Sequence, residues 1–347
     1  MQAELVTERL SLRRGLPGDF EAIHDIYARP EVARMVASWP IPADPGRTRR
    51  VCAPMPADEG IAGPMLLGDT IIGNMGCHRS DDGAFVMGYG LHPDHWGRGY
   101  ATEMGRAMID AVFARYDIDV IKAGTWADNP ASVRVLEKLG MRFVRLGLGW
   151  CAARGQALDA LMHEITRGEW LAANPLDLTT GRLTIRGYRA ADMPALHAIA
   201  TRPDVARMIL SFAPDDTLEK VANWALARRY RGRPGFCAGV FLADGTLIGN
   251  VGLAPGATST MYFYDPAHWR QGYATEAHRA LLAWAFPSFG LDAVEADHFH
   301  DNPASGRVLE KLGFRRTGEG RQTSAGRLEP DRVILYRLTR GSFGAST

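Results

Sequence analysis

Apolar and polar residues alternate through Arg9-Leu-Ser-Leu-Arg13, the two-residue period of a half-buried strand, and the alternation returns at Arg182-Leu-Thr-Ile-Arg186. After each strand an aspartate, Asp19 or Asp192, stands where a short helix needs an N-cap. The next helix start also recurs, as Arg29-Pro-Glu-Val-Ala-Arg-Met35 and Arg202-Pro-Asp-Val-Ala-Arg-Met208, with proline tolerated in the first turn. Residues 216–228 carry the spacing of an amphipathic helix. The matching stretch of the first half holds Pro40, Pro42, Pro45, Pro54 and Pro56, which predicts mostly loop. Two strands follow in each half, joined at Leu67-Gly-Asp69 and at Asp244-Gly245, and the second of each pair carries Ile-Gly-Asn, at Ile72 and Ile248.

A third strand, residues 85–91 or 261–264, meets a proline, a glycine-bearing turn and a long helix. Met104, Ala107, Met108, Ala111 and Val112 share one face of that helix, as do Ala277, Ala280, Leu281, Trp284 and Ala285 in the second copy; both sets read as core. Another strand, 120–126 or 293–299, runs into Asp-Asn-Pro-Ala-Ser at 128–132 and 301–305. There Asn129 and Asn302 fit an N-cap, the following proline fits the first helical position, and Gly140 and Gly313 fit the residue after the helix end. Each copy closes on Thr-Arg-Gly, at 166–168 and 339–341, which leaves 169–180 as linker.

One unit is therefore present twice, and the expected domains are 1–173 and 174–347. The offset is 173 from Trp96 to Trp269 and 176 from Asn74 to Asn250, so the length differences fall in the loops around one hairpin, where a shared core tolerates them. The most chemically suggestive repeat is His92-Pro-Asp-His-Trp-Gly-Arg-Gly-Tyr-Ala-Thr-Glu103 against Asp265-Pro-Ala-His-Trp-Arg-Gln-Gly-Tyr-Ala-Thr-Glu276. A strand that turns through glycine into a helix makes an anion cradle, because the first helical N–H groups are unpaired and lie at the positive end of the dipole. Gly99 and Gly272 let that backbone approach a phosphate closely. Neither turn completes Gly-x-x-x-x-Gly-Lys-[Ser/Thr] or Gly-x-Gly-x-x-Gly, which removes the two commonest nucleotide loops.

Composition narrows the partners. The 347 residues, 46% of them hydrophobic, suffice for two cores. Forty basic against 39 acidic residues give no bulk charge for nucleic acid or an anionic membrane, and no apolar run reaches the roughly 18 residues of a membrane span. Cys52, Cys77, Cys151 and Cys237 are scattered, without paired spacing or a secretory signal, so a reduced cytoplasmic protein with no bound metal is expected.

The order of elements, the two Gly-x-Ala turns and the Asn-x-x-Ser helices followed by Leu-Glu-Lys-Leu-Gly resemble the GNAT superfamily of acyl-CoA-dependent N-acyltransferases, twice and over almost the whole chain. The resemblance implies an α+β fold of two tandem GNAT-like domains, each a mixed, mostly antiparallel sheet flanked by helices. It implies transfer of an acetyl group from acetyl-CoA to a primary amine, a protein N-terminus or a small amine, by direct attack on the thioester. The family's pyrophosphate loop usually begins with Gln or Arg. Here both loops begin with Trp, which, with Tyr-Ala-Thr-Glu, is similar to the branch that acetylates ribosomal-protein N-termini. By that likeness Leu91, Trp96, Gly97, Arg98, Gly99, Tyr100, Ala101, Thr102 and Asn129 would hold one cofactor. Tyr264, Trp269, Arg270, Gln271, Gly272, Tyr273, Ala274, Thr275 and Asn302 would hold another.

Two family features are missing. The glutamate base expected on the strand before the cradle is matched by Val86 and Ser259, and the tyrosine seven residues after the Asn by Leu136 and Leu309. His298, with His300 beside it, is a candidate base, since histidine exchanges protons near neutral pH; a water chain is the alternative. Ser132 and Ser305 are the hydroxyls a family-like pose leaves near the sulfur, with hydrogen bonding at the helix start as their other reading. Gly88 and Gly90 suit a bulge that would splay the strand before the cradle, an argument that Met261 and Phe263 do not share. The intact helix and His298 point to the second half as the main site of transfer. The rival class is a non-catalytic or half-degenerate acyl-CoA-binding module, and the short linker suggests halves packed as a pseudo-dimer.

Overall fold

A computed structural model, which describes residues 3–80, 83–257 and 259–344, divides into two compact units, Met1–Ala173 and Asn174–Thr347. The first runs β1 (Leu5–Val6), β2 (Ser11–Leu12), α1 (Phe20–Ala28), α2 (Pro30–Ala33), α3 (Pro45–Cys52), β3 (Gly60–Leu67), β4 (Thr70–Arg79) and β5 (Phe85–Leu91). It continues with α4 (Tyr100–Arg115), β6 (Val120–Trp126), α5 (Pro130–Lys138), β7 (Arg142–Cys151), β8 (Gln156–Thr166) and α6 (Arg167–Ala173). The second repeats the plan: β9 (Asp177–Thr179), β10 (Leu183–Arg186), α7 (Met193–Ala200), α8 (Pro203–Ala206), α9 (Leu218–Ala227), β11 (Phe236–Leu242), β12 (Leu247–Leu253) and β13 (Thr260–Tyr264). Then come α10 (Tyr273–Ser288), β14 (Ala293–Phe299), α11 (Pro303–Lys311), β15 (Arg315–Gln322), β16 (Asp331–Thr339) and α12 (Arg340–Gly344).

In the first unit the strands lie in the order β1-β2-β3-β4-β5-β6-β8-β7, antiparallel throughout except for β5 and β6. That parallel pair is joined at three positions, Phe85 to Ile121, Val86 to Lys122 and Met87 to Ala123, and then parts. In the second unit the parting is more complete. Strands β13-β12-β11-β10-β9 and β14-β16-β15 form separate sheets, and among the described residues the parallel pairing is one bridge, Ser259 to Glu295. Both units are thus mixed, mostly antiparallel sheets flanked by helices, with a wedge opened at the same place.

The amphipathic faces read from sequence form the cores. Met104, Met108, Ala111 and Val112 of α4 are buried with Leu12, Met65, Met75, Phe85 and Ile121 of the sheet, and Ala277, Leu281 and Ala285 of α10 are equally buried. Fully burying a side chain of this size stabilises by about 1.5–3 kcal/mol, so this face sets where α4 lies and where its N-terminus points.

Four expectations need correction. The first half does contain a helix opposite α9: Pro45 occupies the first helical position of α3, where no N–H is needed, and the Asp44 carboxylate accepts from the N–H of Gly46 at 2.8 Å. Residues 169–180 are not a bare linker, since Glu169 lies in α6 and 177–179 form β9. Asp19 does not cap α1 through its side chain; its carboxylate accepts from the N–H of Leu16 and from Arg13, and Asp192 does the same with Arg189 and Arg186. Strand β5 is not bulged at Gly88 or Gly90, because its register with β4 runs unbroken from Phe85 to Leu91. The wedge opens on its other edge, and it opens in the second unit without glycines.

Candidate active site

Each cradle is built from the end of the splayed strand. Beyond β5 the backbone turns through Gly97 at φ 71° and Gly99 at φ 82°, the latter being the residue from which α4 starts. In the second copy Arg270 takes φ 62° and Gly272 φ 83°. The first intrahelical bonds run from the N–H of Glu103 to the carbonyl of Gly99 and from Glu276 to Gly272. The N–H groups of Tyr100, Ala101 and Thr102, and of Tyr273, Ala274 and Thr275, therefore precede the helical ladder and are available to an anion.

The tryptophan that replaces the expected Gln or Arg has a structural task. Indole Nε1 of Trp96 donates to the carbonyl of Leu91 at 2.9 Å, and Trp269 does so to Tyr264 at 2.8 Å, tying the loop back to its strand. A further brace went unread in the sequence. Arg9 Nε donates to Glu103 at 2.7 Å, Thr7 Oγ1 to the same carboxylate at 2.6 Å and Arg9 Nη1 to the carbonyl of Arg98 at 3.2 Å. The guanidinium also lies 4.7 Å from the Tyr100 ring centroid. Arg182, Thr180, Glu276, Gln271 and Tyr273 reproduce this in the second unit. Burial opposes ionisation of Glu103 and Glu276, but the hydrogen bonds from Thr7 and Arg9, or Thr180 and Arg182, outweigh it and hold both pKa values below the usual range. Recurrence at the 173 offset was the signal that could have found these residues.

Asn129 and Asn302 cap their helices as expected, accepting from the N–H of Ser132 at 3.1 Å and of Ser305 at 3.2 Å. The serine hydroxyls face the wedge. Tyr89 Oη lies 2.8 Å from Ser132 Oγ, and Tyr262 Oη 2.6 Å from Ser305 Oγ, so a phenol from the splayed strand meets the hydroxyl of the Asn-x-x-Ser helix in both units.

In the first unit the wedge opens into a cleft of about 2060 Å³ that reaches Gly99, Tyr89, Ser132, Gly88, Asn74 and His78. Gly88 is exposed, with open space where a Cβ would stand. His78 is paired directly with Val86, so an imidazole stands across the ladder from the position of the missing glutamate. The second unit is more filled on this side: Met261 occupies the place of Gly88, and Asn250, the counterpart of Asn74, is fully buried, accepting from Tyr188 Oη at 2.7 Å. Tyr27 stacks on Trp39 in the first unit, whereas the second has Ala200 on the helix and Phe263 on the strand, against Phe212. Ala254 stands in the place of His78.

His298 is buried under α11. Its Nδ1–H has the carbonyl of Phe299 as acceptor at 2.8 Å, its ring lies against Tyr336, and its Nε2 is 2.8 Å from where a Cβ on Gly306 would be. His300 lies at the turn beyond, Nδ1 3.4 Å from Asp331. Among the described residues no group of three or more His, Cys, Asp or Glu side chains could hold a metal ion, and no helix is long and apolar enough to cross a membrane.

The GNAT acetyltransferase domain family matches this chain at residues 9–142 and again at 182–315. Among curated proteins, the uncharacterized N-acetyltransferase p20 of Bacillus licheniformis is 28% identical over 175 residues, covering 48% of this chain and 97% of the relative. The uncharacterized N-acetyltransferase YoaA of Bacillus subtilis is 31% identical over 153 residues, covering 42% and 86%. Among solved structures, a GNAT-family acetyltransferase from Bacillus anthracis aligns with 47% of this chain and 98% of its own at 25% identity and a TM-score of 0.42. The two matched stretches contain both cradles, the Arg9–Glu103 and Arg182–Glu276 pairs and both Asn-x-x-Ser helices, and the chain belongs to the GNAT acetyltransferase family through a domain in each of its halves.

Proposed function

We propose that this chain transfers an acetyl group from acetyl-CoA to a primary amine, and that the first domain carries the transfer. The observation behind this is the continuous cleft from the α4 cradle, through the wedge between β5 and β6, to Asn74, Gly88 and His78. In this reading the pyrophosphate lies on the N–H groups of Tyr100, Ala101 and Thr102, and the thioester enters the wedge, where β5 has no ladder with β6 beyond Met87. The amine attacks the carbonyl carbon from the Gly88 side. His78 takes its proton, and the C–S bond breaks toward Ser132. The Trp-led loop and Tyr-Ala-Thr-Glu favour a peptide N-terminus as acceptor over a small amine. Four free, buried cysteines suit a reducing, cytoplasmic setting.

A second reading applies to the second domain, where Met261 and the sealed Asn250 favour binding of acyl-CoA with slow transfer or none. Thiol release from acetyl-CoA, measured with hexapeptides bearing free N-termini, polyamines and amino acids, tests both. The proposal expects release with at least one class and a fall of about 10² or more in kcat/KM in His78→Ala, with CoA affinity nearly unchanged. Binding of CoA without release for any amine would leave only the binding module.

A further inference from the structure

Both domains lack the phenol that the family usually mounts on the helix after the Asn, and both bring a phenol to the same helix from another element. Leu136 and Leu309, at the usual position, are buried and have no proton to give. Tyr89 and Tyr262 instead reach across the wedge from β5 and β13 to Ser132 and Ser305. We propose that in the first domain the Tyr89–Ser132 pair supplies the proton that the departing thiolate of CoA requires, with the serine touching the sulfur and the tyrosine acting through the serine; in the second, the Tyr262 hydroxyl also has the Ser305 carbonyl as acceptor at 3.2 Å. The inference rests on the acetyl-transfer reading above and concerns its second half-step.

Three features of the arrangement carry it. The serine is held in place independently of the tyrosine, because its N–H is bound by the Asn side chain that caps the same helix. A phenol that donates to Ser132 Oγ leaves the serine's own proton directed at a third group, and both side chains line the cleft. Burial raises the pKa of Tyr89, with the Ser132 hydrogen bond acting the other way, so the phenol keeps its proton at neutral pH and has one to give.

The step balances as follows. The amine lone pair forms the C–N bond, and the C–S bond breaks with its electron pair going to sulfur. Sulfur takes the Ser132 hydroxyl proton while Ser132 takes the phenolic proton of Tyr89. The phenolate recovers a proton, through cleft water, equal to the one the base removed from the amine, so no net proton or electron is exchanged.

The test uses the full-length chain, acetyl-CoA and whichever amine in the panel gives wild-type thiol release, comparing Tyr89→Phe, Ser132→Ala and the double variant. Tyr89→Phe keeps the ring and removes one oxygen, and a thermal melt with a CoA titration reports whether the fold and the cradle survive. The expected result is a fall in kcat of about 10²- to 10⁴-fold with KM for acetyl-CoA within about threefold, loss of the basic limb of the kcat–pH profile, and a double variant no slower than the worse single one. A Tyr89→Phe enzyme with kcat within threefold of wild type, or one that slows while keeping the wild-type basic limb, overturns the relay and leaves the pair a structural tie. Absence of thiol release from the wild-type chain overturns both readings at once, and that result is visible before any variant is made.

Discussion

Gly99 and Gly272 are held at φ of 82° and 83°, a backbone region that costs an L side chain roughly 1–2 kcal/mol. A Cβ on either would lie about 3.6 or 3.5 Å from a guanidinium nitrogen of Arg9 or Arg182, on the approach an anion must use. Gly99→Val and Gly272→Val are each expected to remove one CoA per chain, and calorimetric stoichiometry falling from two to one in each variant is the check. The braces behind the cradles make a pH prediction. Because Glu103, Glu276, Asp19 and Asp192 have pKa values lowered on folding, the unfolded chain binds more protons as pH falls through the carboxylate range. Their stabilisation is present above about pH 4 and is lost below it, as pH falls through the depressed folded values. Thermal melts between pH 6 and 3 should show this slope, and Glu103→Gln should make it shallower; an unchanged slope would remove the brace from the account.

Helix α3 forms among five prolines because only Pro45 lies within it, at the first helical position, whose N–H would have no intrahelical acceptor, while Asp44 satisfies the next donor. Replacing Asp44 by Ala should cost about 1 kcal/mol, read as a shift in the denaturation midpoint. Strands β7 and β15 contrast more sharply. At matching positions the first carries Phe143, Leu146 and Leu148, exposed at 51%, 65% and 77%, and the second Arg316, Glu319 and Arg321. The fold therefore does not require apolar residues on that face. The pair Leu146→Glu and Leu148→Arg should change stability by no more than about 0.5 kcal/mol, and a loss above about 2 kcal/mol would mean that the face is covered.

Two copies of one domain in a chain permit a division of labour that a single copy does not. Both cradles and both tyrosine–serine pairs are kept, whereas the β4–β5 face and its counterpart have diverged, with Gly88 and His78 open in one domain and Met261 and Ala254 replacing them in the other. In one acetylation assay, Gly99→Val should therefore abolish most turnover and Gly272→Val should leave most of it. Equal losses would mean that the domains share the work, and a greater loss in Gly272→Val would restore the second domain as the main site.

Much of this was legible along the chain because it is local. The cradle, the Asn caps, the amphipathic core faces of α4 and α10 and the recurrence itself depend on residues within about one helical turn or one strand period, and these are the patterns that sequence carries. Positions that needed a partner far along the chain were not legible. The Arg9–Glu103 brace spans 94 residues and the Tyr89–Ser132 pair 43, and nothing in the sequence near Tyr89 indicates which hydroxyl it will meet. Histidines differed for the same reason: His298 reads as a base at a strand end until α11 is seen to bury it, and nothing local to His78 says that the β4–β5 register sets it across from Val86. The linear order of residues determined the fold, its duplication and the glycine turns that open α4 and α10. Strand register and helix packing decided which side chains face the wedge, because those depend on contacts between elements that a sequence period cannot encode.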